Sequence, residues 1–386
     1  MRNNYLWYQF FRYGLVKPAL HLFYSDYSVS ATQYIPQDKP VIFVANHQNS
    51  FIDALHVVCN TRKFMHFLTR AEPFEVPLVS HFLRSLNMMP VYRMRDGFRS
   101  VKKTEDTINK CCQLLGEGGS ILVFAEANHA IRRRVRPLSK GFTRIAFGAE
   151  QQHNWQLDLQ IQPVGLNYSH HQKARTPFHI QFGEPIAVGD FQQTFIQNER
   201  IAAQELKQAT AKRLSVLTTH VSNLEHYPLH RLLLDELEPN RQAVIKPSIA
   251  NKRIATIENG FDEADLKKAN RLLETCSQHH VNIHDLVTPV KPTWRDFCLS
   301  PLYLFSLINN ILPYQAVRWI TEEYIEDHVF DSSVKFVMGL FLLPLLLYAD
   351  HTALEFVKFR LAAVGGILSA QPGNRAPICT GKRSAF

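Results

Sequence analysis

The stretch VIFVANHQNSFID, residues 41–53, joins an apolar run to a polar segment and then to the start of a predicted helix. The run Val41 to Ala45 predicts a strand that is buried on both faces, and helical spacing begins near Ser50. Ligands of open α/β sheets bind where strands end and loops lead into helices. We therefore expect a functional site at residues 46–53.

His47 and Asp53 are the candidate catalytic pair of this segment. A histidine can act as a general base near neutral pH, and a carboxylate bound to its other ring nitrogen fixes its tautomer and orientation. The alternative is structural, because Ser50 followed three residues later by an acid is typical of a capping box. The pattern alone leaves both interpretations open.

The alternation of apolar runs and helical periodicity continues over residues 31–188 and predicts an α/β domain. Further strands are predicted at Ile121–Phe124 and Ile161–Leu166, and a half-exposed strand at Phe178–Phe182 closes the domain. A helix that ends near Gly116 is predicted from apolar residues at helical intervals, namely Val101, Ile108, Cys112 and Leu115.

Basic residues follow two apolar runs of the sequence. Arg93 and Arg95 come after an apolar run, and the strand ending at Phe124 is followed by Glu126 and then by five cations in nine residues: Arg132, Arg133, Arg134, Arg136 and Lys140. Such a cluster can hold a phosphate dianion through bidentate hydrogen bonds. A solvated surface and contact with nucleic acid are the alternatives.

Composition limits the class of protein. The 386 residues are 46% hydrophobic and 20% charged, which excludes a disordered or collagen-like chain and predicts one large core with additions, or two domains. The formal net charge of +9 favours anionic partners. The six cysteines lack metal-ligand spacing and indicate free thiols in a reducing compartment.

The flanking segments predict attachment to a membrane. Residues 1–30 predict an amphipathic helix at the membrane interface, with aromatic side chains at the headgroup level and with Arg2, Arg12 and Lys17 available to anionic lipid. A helix packed on the core explains this segment equally well. Residues 189–295 predict a solvated helical appendage that includes a long polar helix at Asn198–Val221.

The C-terminal part turns apolar at residues 296–370 and ends in a polar tail at 371–386. Phe297–Val317 is 21 residues without a charge, long enough to span a bilayer, and Phe336–Ala349 is another 14. Cations on both outer flanks of this pair predict that the catalytic domain lies on the cytoplasmic side of the membrane.

Four segments, in this order, resemble the glycerol-phosphate acyltransferase family, which includes the 1-acylglycerol-3-phosphate acyltransferases. They are Asn46-His47 with Asp53, then Arg93, then Phe124–Ala127 with Glu126, and finally Ile161–Val164 with its proline. The resemblance covers about residues 30 to 190. It implies an acyltransferase-type α/β domain with a mixed sheet flanked by helices.

The resemblance also implies an activity: acyl transfer from acyl-CoA or an acyl carrier protein to the hydroxyl of glycerol 3-phosphate or its 1-acyl product, in phospholipid synthesis. His47 would be the general base, Arg93 would bind the acceptor's phosphate and Glu126 would belong to the acceptor site. Arg95 and the cluster formed by Arg132, Arg133, Arg134 and Lys140 would assist at the phosphate. Membrane lipid is an expected partner and no further cofactor is implied.

Three departures from the family pattern define the main alternative. Five residues separate His47 from Asp53 instead of four, Ala125 and Ala127 stand where proline and glycine are usual, and His129 stands where an arginine is usual. These changes leave a catalytically impaired lipid-binding or membrane-scaffold relative as the rival interpretation.

Other classes of chemistry have little support. No glycine-rich phosphate loop is present, which disfavours nucleotide hydrolysis and hydride transfer. No metal site is expected, because His47 with His56, or His170 with His171, lacks a third ligand at a recognisable spacing. The basic stretch has few interleaved aromatic residues, so nucleic acid is not an expected partner. Backbone N–H groups of residues 48–50 are the expected donors to a tetrahedral oxyanion.

Overall fold

The structure is a computed structural model that describes residues 5–91, 98–126, 128–236, 244–260, 262–279, 293–325 and 328–349. These residues form two compact units. The first unit takes its residues from 1–21, 27–171 and 178–220, and the second from 22–26, 172–177 and 221–386. Every described residue discussed below as part of the candidate site belongs to the first unit.

An eight-stranded mixed sheet forms the centre of the first unit, with strand order β1-β7-β6-β2-β5-β3-β4 and β8 paired to β6. Strands β2 to β6 run parallel along this path, whereas β7 and β8 are antiparallel to β6. The strands are β1 (Tyr27–Ser30), β2 (Val41–Ala45), β3 (Met65–Arg70), β4 (Met88–Val91), β5 (Ser120–Val123), β6 (Gln160–Tyr168), β7 (Phe178–Phe182) and β8 (Ile186–Ala187). The mixed sheet expected from the sequence is confirmed.

Burial along the strands follows their apolar patterns. All residues of β2 and β6 are buried, as is typical of central strands covered on both faces. Strand β7 alternates, with Phe178, Ile180 and Phe182 buried. It does not form the edge of the sheet, because β1 pairs with its other side. The predicted closing strand therefore exists but has a neighbour that the sequence pattern did not reveal.

Helices flank this sheet, and their described bounds are α1 (Tyr5–Gln9), α2 (Lys17–Phe23), α3 (Phe51–Cys59), α4 (Pro77–Ser85), α5 (Phe98–Gly116), α6 (Gly141–Gln152), α7 (Gln192–Gln197) and α8 (Glu199–Leu217). Helix α5 is the one predicted to end near Gly116. Its Cys111, Cys112 and Leu115 lie in the core, together with Ile145 and Phe147 of α6. The helix predicted near Ser50 begins at Phe51.

The long polar helix predicted at Asn198–Val221 corresponds to α8, but it is not a solvated appendage. Ala202, Leu206 and Leu214 are buried in the core of the first unit. The Asn198 side chain caps the helix by accepting the backbone N–H groups of Arg200 and Ile201. A narrow apolar stripe is enough to bury one face of a helix whose other residues are polar.

The N-terminal helical segment packs one face on the core. A π-helical turn at Phe10–Val16 joins α1 to α2, and the segment buries Tyr8, Val16 and Leu20. Arg12 is also buried, and its guanidinium donates to the Lys63 carbonyl and the Thr61 hydroxyl. The prediction that Arg12 is available to anionic lipid is therefore wrong, because its charge is used inside the fold.

Helices make up most of the described part of the second unit. Its elements are α9 (Tyr227–Arg231), a π-helical turn (Leu232–Glu236), α10 (Pro247–Gly260), α11 (Glu263–Gln278), α12 (Trp294–Glu323) and α13 (Asp331–Ala349). The two oxygens of Glu258 on α10 lie 2.6 Å from ring nitrogens of His226 and His230. This contact ties the start of α9 to α10.

Within the described ranges, no helix combines the length and the apolar character needed to cross a membrane. The prediction of a spanning helix at Phe297–Val317 is thus not supported. Helix α12 covers this stretch, but two prolines and the Asn309-Asn310 pair dilute its apolar character. In α13 the charge-free run begins only after Lys335 and is shorter than the ~20 residues that a bilayer requires. The predicted tail at 371–386 lies outside the described residues.

We predict that Gly165→Ala destabilises the first unit. A Cβ atom at Gly165 would lie 2.3 Å from the Leu217 carbonyl oxygen, a backbone atom at the end of α8, so the helix would have to move. The expected loss is roughly 1–3 kcal/mol in the free energy of unfolding, measured by chemical denaturation. Gly189→Ala is the matched control, because nothing lies within 4 Å of the added carbon. Equal stability of the two variants would contradict the close approach.

Candidate active site

The loop that follows β2 lies at the centre of the sheet, between the ends of β5 and β6. Asn46 fixes the start of this loop: its Nδ2 donates to the Leu166 carbonyl at 3.0 Å, and its Oδ1 accepts the Leu166 N–H at 2.8 Å. These two bonds extend the pairing between β2 and β6 by a side chain. His47 is therefore placed at the carboxyl edge of the parallel strands, where α/β sheets bind ligands.

His47 and Asp53 are in direct contact, as the sequence predicted. His47 Nδ1 lies 2.9 Å from Asp53 Oδ2, and the aspartate side chain is completely buried while 17% of the histidine side chain is exposed. The Phe124 ring stacks on the imidazole with centroids 4.1 Å apart, and the His129 ring meets it edge to face at 5.7 Å. The histidine is thus held on one nitrogen and accessible to a substrate.

The Asp53 carboxylate accepts four hydrogen bonds. Besides His47, its Oδ2 accepts the backbone N–H groups of Gln48 at 2.9 Å and Asn49 at 2.8 Å. Its Oδ1 accepts the Tyr168 hydroxyl at 2.5 Å. A buried carboxylate needs such donors, because an unpaired charge in the interior is strongly unfavourable.

The capping-box alternative is wrong. Ser50 precedes α3 but makes no side-chain cap, and it has a φ of 53°, which is uncommon for a residue other than glycine. The backbone turns at Ser50 so that the N–H groups before it point back to Asp53. The additional residue between His47 and Asp53 therefore does not prevent their contact.

The expected oxyanion donors need correction. The N–H groups of Gln48 and Asn49 are already donated to Asp53, so they serve the carboxylate rather than a substrate. The side chain of Gln48 is also engaged, since its Nε2 donates to the Arg132 carbonyl and its Oε1 lies 3.0 Å from His171 Nε2. These contacts tie the loop to the segments that follow β5 and β6.

Glu126 supports the loop from the other side. Its carboxylate accepts the backbone N–H of His47 at 3.2 Å and that of Arg136 at 2.8 Å, and it pairs with the Arg136 guanidinium at 3.0 Å. Burial raises the pKa of Glu126 above its usual range, against the opposing effects of these N–H groups and of Arg136. With 6% of its surface exposed, Glu126 contacts the protein's own backbone rather than open solvent.

The predicted cations have different environments. Arg133 is buried and donates to the carbonyls of Tyr168 and Ser169 at 2.8 and 2.9 Å, so its charge stabilises the end of β6. Arg136 pairs with Glu126 and also donates to the Asn128 carbonyl. Arg132 and Lys140 are exposed and Arg134 is partly buried. Arg93, Arg95 and Ala127 lie outside the described residues.

Sequence reasoning missed two residues near this site. Tyr168 is the last residue of β6, and Arg70 is the last residue of β3, where it donates to the Asn128 side chain at 3.4 Å. Parallel strands bring their carboxyl ends to one edge of the sheet, so the end of the strand predicted at Ile161–Leu166 is the available signal for Tyr168. No strand is predicted at β3, and the sequence therefore gives no such signal for Arg70. In the part of the chain that the structure describes, no group of three or more His, Cys, Asp or Glu side chains is arranged to hold a metal ion.

His47, Asp53 and Glu126 lie within a stretch of the chain that matches a known family. Residues 26–167 match the family described as Acyltransferase. A chloroplast 1-acyl-sn-glycerol-3-phosphate acyltransferase of Brassica napus is 24% identical over 129 residues, which are 33% of this chain and 35% of that protein. These matches confirm the resemblance to the glycerol-phosphate acyltransferases.

Other relatives match over a similar length of this chain. A 1-acyl-sn-glycerol-3-phosphate acyltransferase of Chlamydomonas reinhardtii is 29% identical over 32% of this chain and 35% of its own length. The glycerol-3-phosphate O-acyltransferase 1 of Saccharomyces cerevisiae is 29% identical over 29% of this chain and 15% of its own length. The chain thus spans about a third or less of these relatives.

A solved structure is also similar. The crystal structure of the 1-acyl-sn-glycerophosphate acyltransferase from Thermotoga maritima is 20% identical, and the match covers 55% of this chain and 83% of that one with a TM-score of 0.40.

We predict that Glu126→Gln changes how stability depends on pH. Burial raises the pKa of this acid in the folded protein, so the folded state holds the proton at a pH where the unfolded chain has lost it. The free energy of unfolding of the wild-type protein therefore falls as pH rises from the usual glutamate range to the raised pKa. A glutamine does not ionise, so the melting temperature of the variant, relative to wild type, should rise between pH 4 and neutrality.

The matched control for this measurement is Glu105→Gln, which removes an exposed carboxylate that pairs with Arg144 at 2.8 Å. Its melting temperature should run nearly parallel to that of wild type. A Glu126→Gln curve parallel to wild type over the whole range would contradict the burial cost assigned to this carboxylate.

Proposed function

We propose that this protein transfers a fatty acyl group from an acyl thioester to the hydroxyl of a glycerol-phosphate acceptor. The single observation that carries the proposal is the contact of His47 with the buried Asp53 at the carboxyl edge of the sheet, inside the stretch that matches the Acyltransferase family. The relatives support the acceptor class, because those named above act on 1-acylglycerol 3-phosphate or glycerol 3-phosphate by their names. Both compounds are candidate acceptors.

His47 is the general base in this mechanism. With Nδ1 engaged by Asp53, the ring's Nε2 takes the proton of the acceptor hydroxyl while the oxygen attacks the thioester carbonyl. Asp53 stabilises the imidazolium that forms. When the tetrahedral intermediate collapses, the C–S bond breaks and the thiol leaves with the proton from His47. The products are an ester and a free thiol, and no covalent acyl-enzyme is needed.

Phosphate recognition is assigned to basic residues after β4 and β5. Arg93 and Arg95 follow the Met88–Val91 strand in the sequence, and β4 ends beside Arg70 of β3. Arg132, Arg134 and Lys140 remain candidates to assist, whereas the contacts of Arg133 favour a structural role. A held phosphate positions the hydroxyl for the base, which is a large part of the rate gain available to such an enzyme.

Glu126 has a different role in this proposal from the one that the resemblance implied. Its bonds to the backbone of His47 and Arg136 support a function in shaping the site, rather than direct contact with a glycerol hydroxyl. The contact between His47 and Asp53 likewise removes one reason to regard the protein as an impaired relative, since the longer spacing leaves the pair intact.

Membrane association belongs to the same proposal, because acyl chains and their lipid products partition into bilayers. Placement of the catalytic unit on the cytoplasmic side stays a prediction from the cations that flank residues 297–349 in the sequence. The N-terminal helical segment supports membrane association: Leu6, Trp7 and Phe10 are 83%, 44% and 61% exposed. The partly buried Phe11 contacts the exposed Phe82 of α4 with ring centroids 5.9 Å apart, which extends this apolar surface. Aromatic side chains of this kind favour the headgroup level of a bilayer.

We predict that His47→Ala lowers the rate of acceptor-dependent thiol release by a factor of ~10²–10⁴. The acyl donor is palmitoyl-CoA or an acylated acyl carrier protein. Glycerol 3-phosphate and 1-acylglycerol 3-phosphate are compared as acceptors. The control is His279→Ala, an exposed histidine at the end of α11. Absence of release by the wild-type protein with every donor and acceptor would contradict acyl transfer, and full activity of His47→Ala would contradict the base.

We predict that the triple variant Leu6→Ser, Trp7→Ser, Phe10→Ser binds vesicles of anionic phospholipid on the order of tenfold more weakly than wild type in co-sedimentation, because it loses the exposed apolar surface. The control, Ile201→Ser with Val216→Ser, removes side chains of α8 that are 50% and 64% exposed. Equal binding of both variants would contradict a membrane role for the N-terminal segment.

A further inference from the structure

Tyr168 makes a contact with the candidate catalytic pair that no sequence motif indicates. Its side chain is completely buried, and its hydroxyl donates to Asp53 Oδ1 at 2.5 Å. The other carboxylate oxygen accepts His47 and two backbone N–H groups. The hydroxyl of Tyr168 therefore acts on the carboxylate oxygen opposite to the one that holds the histidine.

The Tyr168 ring is fixed independently of this hydrogen bond. It packs against Phe178 at 4.9 Å, His171 at 5.2 Å and His56 at 5.7 Å between ring centroids. The backbone carbonyl of Tyr168 accepts the buried Arg133 guanidinium. Because ring and backbone are held by other contacts, removing the hydroxyl alone should leave the local packing in place.

The titratable groups around His47 and Asp53 differ in whether they can change the charge near His47. Burial lowers the pKa of His56 and of His171 well below the usual histidine range, with Arg133 contributing at His171, so both rings stay neutral in a neutral assay. The His47 ring contacts Asp53 and His129. The His47 backbone N–H donates to Glu126, whose charge is paired with Arg136. A change in the titration of His47 on removal of the Tyr168 hydroxyl would therefore pass through Asp53.

We propose that Tyr168 is a positioning residue that sets the orientation and the charge of Asp53 and, through it, the basicity of His47. A hydroxyl that donates to one oxygen draws negative charge from the carboxylate and prevents its rotation. Without the Tyr168 hydroxyl, Asp53 would bind the protonated imidazole more tightly, and the orientation of the carboxylate would be less fixed. This inference rests on the proposed function of His47 as a general base, and it assigns to β6 a direct part in tuning that base.

The test is Tyr168→Phe in the full chain, with Tyr27→Phe as the matched control. Tyr27 belongs to the same aromatic cluster, and its hydroxyl bonds His56 and Asn60 instead of Asp53. For Tyr168→Phe we expect kcat to fall about 10- to 100-fold with both KM values within about twofold of wild type. The acid limb of the pH profile should move upward by roughly 0.5–1 pH unit. Tyr27→Phe should change neither.

A second readout does not need activity. The titration midpoint of the His47 ring, followed by NMR, should move to higher pH in Tyr168→Phe and stay in place in Tyr27→Phe. Replacement of Tyr168 by 3-fluorotyrosine, a more acidic donor of nearly the same shape, should move the midpoint to lower pH. This measurement stays informative even if Tyr168→Phe folds poorly.

An unchanged His47 midpoint in both Tyr168 variants would overturn the inference, as would equal losses of kcat in Tyr168→Phe and Tyr27→Phe. Failure of the proposed function has a different signature. In that case the wild-type protein releases no thiol with any acceptor, while the NMR titration still reports whether Tyr168 acts on His47.

Discussion

The buried Asp53 carboxylate is the constraint on which the site depends. A negative charge without access to water must be met by donors, and this one accepts a histidine, two backbone N–H groups and a tyrosine hydroxyl. These donors come from the loop after β2 and from the end of β6. Satisfying the charge therefore requires both segments to take one conformation, and His47 is oriented as a consequence.

A second buried carboxylate holds the same loop from the opposite side. Glu126 follows β5 and accepts the backbone N–H of His47, while Arg136 closes on it from the adjoining segment. The loop after β2 thus lies between acids supplied by α3 and by the segment after β5. The backbone N–H groups of His47 and Arg136 hold the Glu126 carboxylate in place, so the position of this acid is fixed by residues distant from it in the sequence.

The central strand, the helix after it and the His47–Asp53 contact could be predicted, because apolar runs and a six-residue separation are local properties of the sequence. The contacts of Tyr168 and Glu126 could not, since they join residues 115 and 79 positions apart and depend on which strands are neighbours. Charge runs were equally ambiguous. The sequence predicts lipid contact for Arg12 and phosphate contact for Arg133, but each is buried on carbonyl oxygens that only the folded chain brings within reach.

The most direct test of this account is a double-mutant cycle on kcat with His47→Ala, Asp53→Asn and the double variant. If Asp53 acts by orienting and stabilising the histidine, removing the carboxylate from a protein that already lacks the base should cost little more, so the double variant should be about as slow as His47→Ala alone. Losses that multiply in the double variant would show that the two residues act independently, and would contradict the central role of the buried carboxylate.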